Sequence, residues 1–207
     1  MTRRSCFGAE VFILLALLPA AVRADRGEWR LGVAASGIIA SFEESSSASA
    51  GLVPGGLVRV SFGLTNALEL GARLDIRYAP AVEFGGANVD GDDGRLIASF
   101  LAPALALEAR YVAGVDLSSL LWRTHPILGA RLGAMGVRYG SRMLLDEMER
   151  LVDEYDSTFD VRPFAGIDVG VEYRFGRRIV TGVVATADVA RGYRTLGLNV
   201  ELSWLWY

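Results

Sequence analysis

Lysine is missing from this sequence: all 21 basic residues are arginine, and there is one histidine, His125, and one cysteine, Cys6. That scarcity leaves little material for metal sites, cysteine nucleophiles or disulfides. No apolar run after residue 24 reaches the roughly 20 residues a transmembrane helix needs, so a helical membrane protein is excluded. An excess of positive charge is missing as well, with 21 basic against 24 acidic residues, so there is no nucleic-acid footprint and no such partner is expected. What is present is apolar material, 52% of the chain, and a mean hydropathy of +0.32, which excludes disorder. Twenty-four glycines and only short apolar runs point to many alternating strands.

Residues 1–24 read as a secretory signal, with Arg3 and Arg4, an apolar stretch from Val11 to Leu18, and a small-residue cleavage site at Val22-Arg23-Ala24. Residues 25–207 form the second predicted unit, a single β-barrel domain. Loss of Arg3, Arg4, Arg23 and Glu10 lowers the 21 basic and 24 acidic residues to 18 and 23, a net charge of −5. Cys6 leaves too, so an exported chain has no disulfide and needs another stabilising device.

Period-2 alternation, the mark of strands with two chemically different faces, recurs in eight segments. In 158–175 the odd positions Phe159, Val161, Ile167, Val169, Val171, Tyr173 and Phe175 oppose Asp160, Arg162, Asp168, Glu172 and Arg174. In 67–78, Leu68, Leu70, Leu74, Ile76 and Tyr78 oppose Glu69, Arg73, Asp75 and Arg77, and 196–206 repeats the pattern. Weaker versions cover 29–41, 52–64, 95–111, 126–139 and 178–190. Connections 42–51, 79–94 and 140–157 are long, whereas Thr65-Asn66 and Gly176-Arg177 are tight. The expected fold is all-β: a closed, up-and-down, antiparallel transmembrane β-barrel of eight strands.

Alternation alone does not say which face meets water. Glycines among the charged residues, as in Gly71-Ala-Arg73 and Gly129-Ala-Arg131, leave room for long side chains in a narrow lumen. Aromatics cluster at the ends of the apolar face: Trp29, Phe62, Tyr111, Tyr173, Phe175, Trp204 and Trp206 at the short-turn end, and Tyr78, Tyr139 and Phe159 at the loop end. Two such belts match two lipid interfaces. Turning the charged face outward would cost roughly 2–4 kcal/mol for each Arg near the bilayer midplane. The inward set is therefore Arg30, Arg59, Arg73, Arg77, Arg110, Arg131, Arg162 and Arg174 against Glu69, Asp75, Glu108, Asp160, Asp168, Glu172, Asp188 and Glu201. Eight cations face eight anions, the inventory of an ion-pair plug; a narrow or gated conduction path is the alternative.

The signal, the alternating strands, the Arg/Glu-rich inner face and the aromatic end Trp204-Leu-Trp206-Tyr207 resemble small eight-stranded outer-membrane β-barrels of the OmpA/OmpX-like superfamily. The resemblance implies an outer-membrane location in a Gram-negative cell, lipid as the immediate partner, and a terminal strand read by the outer-membrane assembly machinery. It also implies a structural or surface-interaction role, with an extracellular partner met by the loops.

Some such barrels are lipid A-modifying enzymes, which need a serine and a histidine near the outer interface. Here His125 is expected in a turn at the opposite end from Ser99 and Ser141, so no catalytic residue is assigned and the chain is expected not to be an enzyme. Asn88-Val-Asp90-Gly-Asp92-Asp93 lacks a complete calcium loop, and no metal or cofactor is expected. Leu144, Leu145, Met148, Leu151, Val152 and Tyr155 recur at helical spacing and predict an acidic amphipathic helix over 141–156. A soluble carrier with an apolar lumen is the remaining alternative, disfavoured by the aromatic belts.

Overall fold

In the computed structural model, residues 26–42, 51–89, 92–113, 124–145, 151–155, 157–175 and 178–207 are described. The expected signal, the polar segment 43–50 and most of the 112–125 connection lie outside them. The elements are β1 (Trp29–Phe42), β2 (Gly51–Gly63), β3 (Leu68–Val89), β4 (Asp92–Val112), β5 (Thr124–Leu145), β6 (Leu151–Tyr155), β7 (Thr158–Phe175), β8 (Ile179–Ala190) and β9 (Tyr193–Trp206). Each barrel strand pairs antiparallel with its sequence neighbour, β5 with β7, and β9 returns to β1 from Trp29↔Trp206 to Phe42↔Tyr193. Eight strands thereby close a ring without a free edge, and β6 adds to β5 beyond the rim.

The polarity is inside out. Leu107 is 73% exposed and Leu132 68%, whereas Arg131 is 1% exposed and Arg110 fully buried. Alternation produces this, because successive side chains of a strand point to opposite faces and every strand keeps one parity around the ring.

Two expectations for the loop end are corrected. Segment 79–94 is not a loop: β3 and β4 continue as a hairpin to Val89↔Asp92, past irregularities at Ala79/Val82 and Gly85/Ala87. The predicted helix over 141–156 is not formed either, since 141–145 end β5 and 151–155 make β6, paired from Arg142↔Tyr155 to Leu145↔Leu151. The ladder Ala98↔Arg142 to Arg95↔Leu145 offers hydrogen bonds from a strand already in place, whereas a short isolated helix must meet its own nucleation cost. β3, β4, β5 and β6 thus rise together on one side of the mouth. On the opposite side β8 and β9 meet through Arg191 and Gly192, where Gly192 has φ +67°. That two-residue turn accounts for the short connection at 191–194 and starts β9 at Tyr193 rather than at residue 196.

Candidate functional site

The lumen holds the chain's buried charges in layers. Nearest the short-turn end, Arg30 of β1 crosses to Glu172 of β7, Nη1 to Oε2 at 2.7 Å and Nη2 to Oε1 at 3.2 Å, and its Nη2 also meets Glu69 Oε1 at 3.1 Å. Arg174 joins this layer at 3.7 Å from Glu172 and 3.6 Å from Glu28. One level in, Arg59 lies 3.4 Å from Glu108 and 3.2 Å from Glu201. Arg110 spans the same two carboxylates, with Nη2 3.1 Å from both Glu201 oxygens and Nε 3.5 Å from Glu108. Above them Arg73 holds Asp75 at 2.6 Å and faces Asp168 at 3.6 Å. Arg131 bridges Asp168 at 3.0 Å and Asp188 at 2.8 Å. Arg77 meets the other Asp188 oxygen at 2.5 Å, which also accepts from Thr195 Oγ1 at 3.1 Å.

Five carboxylates, Glu108, Asp168, Glu172, Asp188 and Glu201, are each shared by two guanidinium groups from different strands. In a low-dielectric interior such a lattice lends each charge partners that a lone pair would lack. Glycine makes the room: a Cβ at Gly166 would run into Asp188 Oδ1 and stand 3.1 Å from Arg131 Nη2, and one at Gly32 would stand 2.8 Å from Ser203 Oγ.

Of the sixteen charged residues singled out by alternation, Asp160 and Arg162 stand apart. They pair at 2.6 Å at the mouth, where the Asp160 side chain is 56% exposed and Arg162 also donates to the Arg191 carbonyl at 2.6 Å. β7 begins there, above the strands that would enclose it. Glu28 is a buried member that alternation missed; it precedes the first strand but shares the parity of Arg30, the signal that finds it. His125 is not a turn residue: it lies in β5, buried and facing inward, directly across from Glu172. Ser99 is toward the other end of the barrel, and no Ser–His pair is brought together by these two.

Above the charges the lumen changes character. Ile38, Val53, Phe100, Ala102, Met135, Val137 and Phe164 form one buried cluster with Tyr193, whose ring stacks on Phe100 at 6.1 Å between centroids. The sequence hides this compartment, because in these stretches both faces of the strands are apolar. On the outer wall Trp29 and Phe62 lie 5.1 Å apart, and Tyr173 and Phe175 4.6 Å apart, at the short-turn end. Trp204 and Trp206 are exposed there too, with Tyr111 half-buried; Tyr78 and Phe159 are exposed near the loop end. Tyr139 falls in β5 opposite Phe100, its side chain outside the described set.

No protein-family model and no curated protein sequence matches the chain. Solved structures do. Neisserial surface protein A aligns with TM-score 0.58 at 15% identity, over 86% of this chain and 99% of its own. OprG from Pseudomonas aeruginosa aligns with TM-score 0.59 at 9% identity, over 89% and 98%. Ail, the attachment invasion locus protein of Yersinia pestis, aligns with TM-score 0.53 at 8% identity, over 87% and 99%. The chain has the fold of the small eight-stranded outer-membrane barrels. At these identities the likeness is one of architecture, and this barrel's inside-out polarity and ion-pair lattice are read from its own residues.

Proposed function

We propose that this protein is an integral outer-membrane barrel whose lumen is sealed to water and ions, and which acts as a rigid base for the raised sheet at its loop end. The observation that carries this reading is the lattice of buried ion pairs from Arg30–Glu172 to Arg77–Asp188, capped by the apolar cluster around Phe100 and Met135. An ion crossing it would have to break bridges whose partners have no water to turn to. The exposed leucines, isoleucines and valines of the outer wall, bounded by aromatics, suit lipid at a cost no soluble surface would tolerate. The test is planar-bilayer recording of the purified protein, together with gel mobility before and after boiling. A heat-dependent shift with no conductance steps is expected; discrete steps would support the gated-pore reading instead.

The surface role follows from charge. Segments 79–98 and 140–157 carry Glu83, Asp90, Asp92, Asp93, Asp146, Glu147, Glu149, Asp153, Glu154 and Asp156 against Arg95, Arg142 and Arg150. Ail has been solved with the heparin analogue sucrose octasulfate; an acidic segment disfavours such a polyanion and favours a cationic partner. Immobilised heparin is expected not to retain the protein, whereas a polylysine column retains it at low salt and releases it as salt rises. Retention on heparin would reverse the assignment.

A further inference from the structure

His125 is the sole histidine of the chain, and histidine is the side chain whose ordinary titration falls between about pH 5 and pH 8. The lattice beside it is built from carboxylates and guanidinium groups, whose ordinary titration lies outside that range. Among the described residues of the lumen, the short-turn layer is therefore the level that holds a group able to change its charge under mild conditions.

His125 is 4% exposed and stands directly opposite Glu172 in the β5–β7 ladder, both residues facing inward. A cross-strand pair of this kind brings its Cβ atoms to about 5 Å. The ring donates to the Ala113 backbone, while Nδ1 has no hydrogen-bond partner among the described residues. Nε2 thus carries the hydrogen, and Nδ1 keeps a bare lone pair in a buried place, a costly arrangement for a polar atom. One proton would turn that atom into a charged donor beside Glu172.

Such a donor enters an occupied cluster. Both Glu172 oxygens accept from Arg30 of β1, at 2.7 and 3.2 Å, and Arg174 of β7 stands 3.7 Å away. Glu69 of β3 meets Arg30 at 3.1 Å and Ser61 of β2 at 3.3 Å, and Glu28, ahead of β1, meets Arg174 at 3.6 Å. The end of β4 brings apolar Val112 and Ala113 against β5, and its Arg110, one level in, is held by Glu201. Burial and the guanidinium groups of Arg30 and Arg174 oppose a further cation in this layer, and Glu172 is the anion that favours one. A proton on Nδ1 gains Glu172 only at the expense of Arg30 or Arg174.

We propose that His125 is a proton-operated latch at the short-turn end of the lattice. Neutral, it leaves Glu172 to Arg30, whose side chain ties β1 to β7 across the lumen. Protonated on Nδ1, it takes Glu172 over, and Arg30 is left with Glu69 of β3. The release is local, because the layers above keep their own counter-ions: Arg59 and Arg110 stay with Glu108 and Glu201, and Arg131 and Arg77 with Asp188. The proton arrives at the end where the turns are short, which in the membrane reading above faces the periplasm; the inference rests on that reading for the side alone.

The test follows the urea unfolding midpoint of the barrel in detergent from about pH 8 to about pH 5, above the range in which ordinary carboxylates titrate. A proton that the folded chain resists and the unfolded chain accepts leaves stability complete at the alkaline end and removes it as pH falls. The parent's midpoint is therefore expected to drop on acidification and to recover when the pH is restored. His125→Gln, which keeps a donor for Ala113 but takes no proton, is expected to hold the midpoint level across the range. His125→Arg, a permanent cation, is expected to start at the low midpoint and stay there. Arg174→Gln removes one of the two opposing cations and is expected to move the transition to higher pH, which a plain packing role for His125 would not do. A parent midpoint that is level or rises on acidification, or a drop that persists in His125→Gln, overturns the latch. Failure to enter vesicles as a heat-modifiable band would overturn the membrane reading instead.

Discussion

Glu172 is buried, bidentate to Arg30, close to Arg174 and across from His125. Glu172→Gln keeps the shape and removes the charge, which leaves Arg30 with Glu69 as its remaining anion within 4 Å. Breaking a buried pair from one side costs about 3–5 kcal/mol, and a lowered urea unfolding midpoint in detergent is the expected result. A midpoint equal to the parent's would mean that the lattice contributes nothing to holding the barrel. Gly166→Ala attacks the same lattice by volume: the new methyl group meets Asp188 and the Arg131 guanidinium, and overpacking of this kind costs about 1–3 kcal/mol. The same unfolding assay reads it. At this scale the sequence was informative where polarity differed between the faces of a strand. It was silent where both faces were apolar, as at Phe100, Ala102 and Met135, since alternation cannot rank two apolar faces. Glu28 and the true setting of His125 escaped because their partners, Arg174 and Glu172, come from a strand distant in sequence.

Turns and strand ends are the next level. Gly192 holds φ +67° in the β8–β9 turn, a region that costs other L-residues about 1–2 kcal/mol. Gly192→Ala is expected to lower the unfolding midpoint by that amount without changing the folded barrel's mobility on gels. The raised β3–β4 hairpin is dispensable to the ring, because Leu68↔Tyr111 through Ala79↔Phe100 pair below it. Replacing residues 82–97 by a two-residue turn is therefore expected to keep the heat-dependent gel shift, and loss of the shift would show that the raised sheet helps to close the barrel. The strands within the ring were legible from period 2. The raised segments were not, because the helical spacing of Leu144, Leu145, Met148, Leu151 and Val152 competes with a ladder that only the folded hairpin supplies.

For the molecule as a whole, the charges that matter to stability are shielded from solvent, whereas Asp160–Arg162 at the mouth is open to it. Dissolved ions screen exposed pairs and scarcely reach buried ones. Raising salt is accordingly expected to leave the unfolding midpoint nearly unchanged, and a large fall would indicate that water and ions permeate the lumen.

The ring closes where β1 meets β9, so the first strand to leave the ribosome pairs with the ninth. Until β9 arrives, both lips of the unfinished sheet lie bare, and a translation product cut short before Tyr193 has no way to cover them. The joint from Trp29↔Trp206 to Phe42↔Tyr193 is therefore the last to form, and a chain that lacks β9 presents two unpaired edges to any other strand it meets.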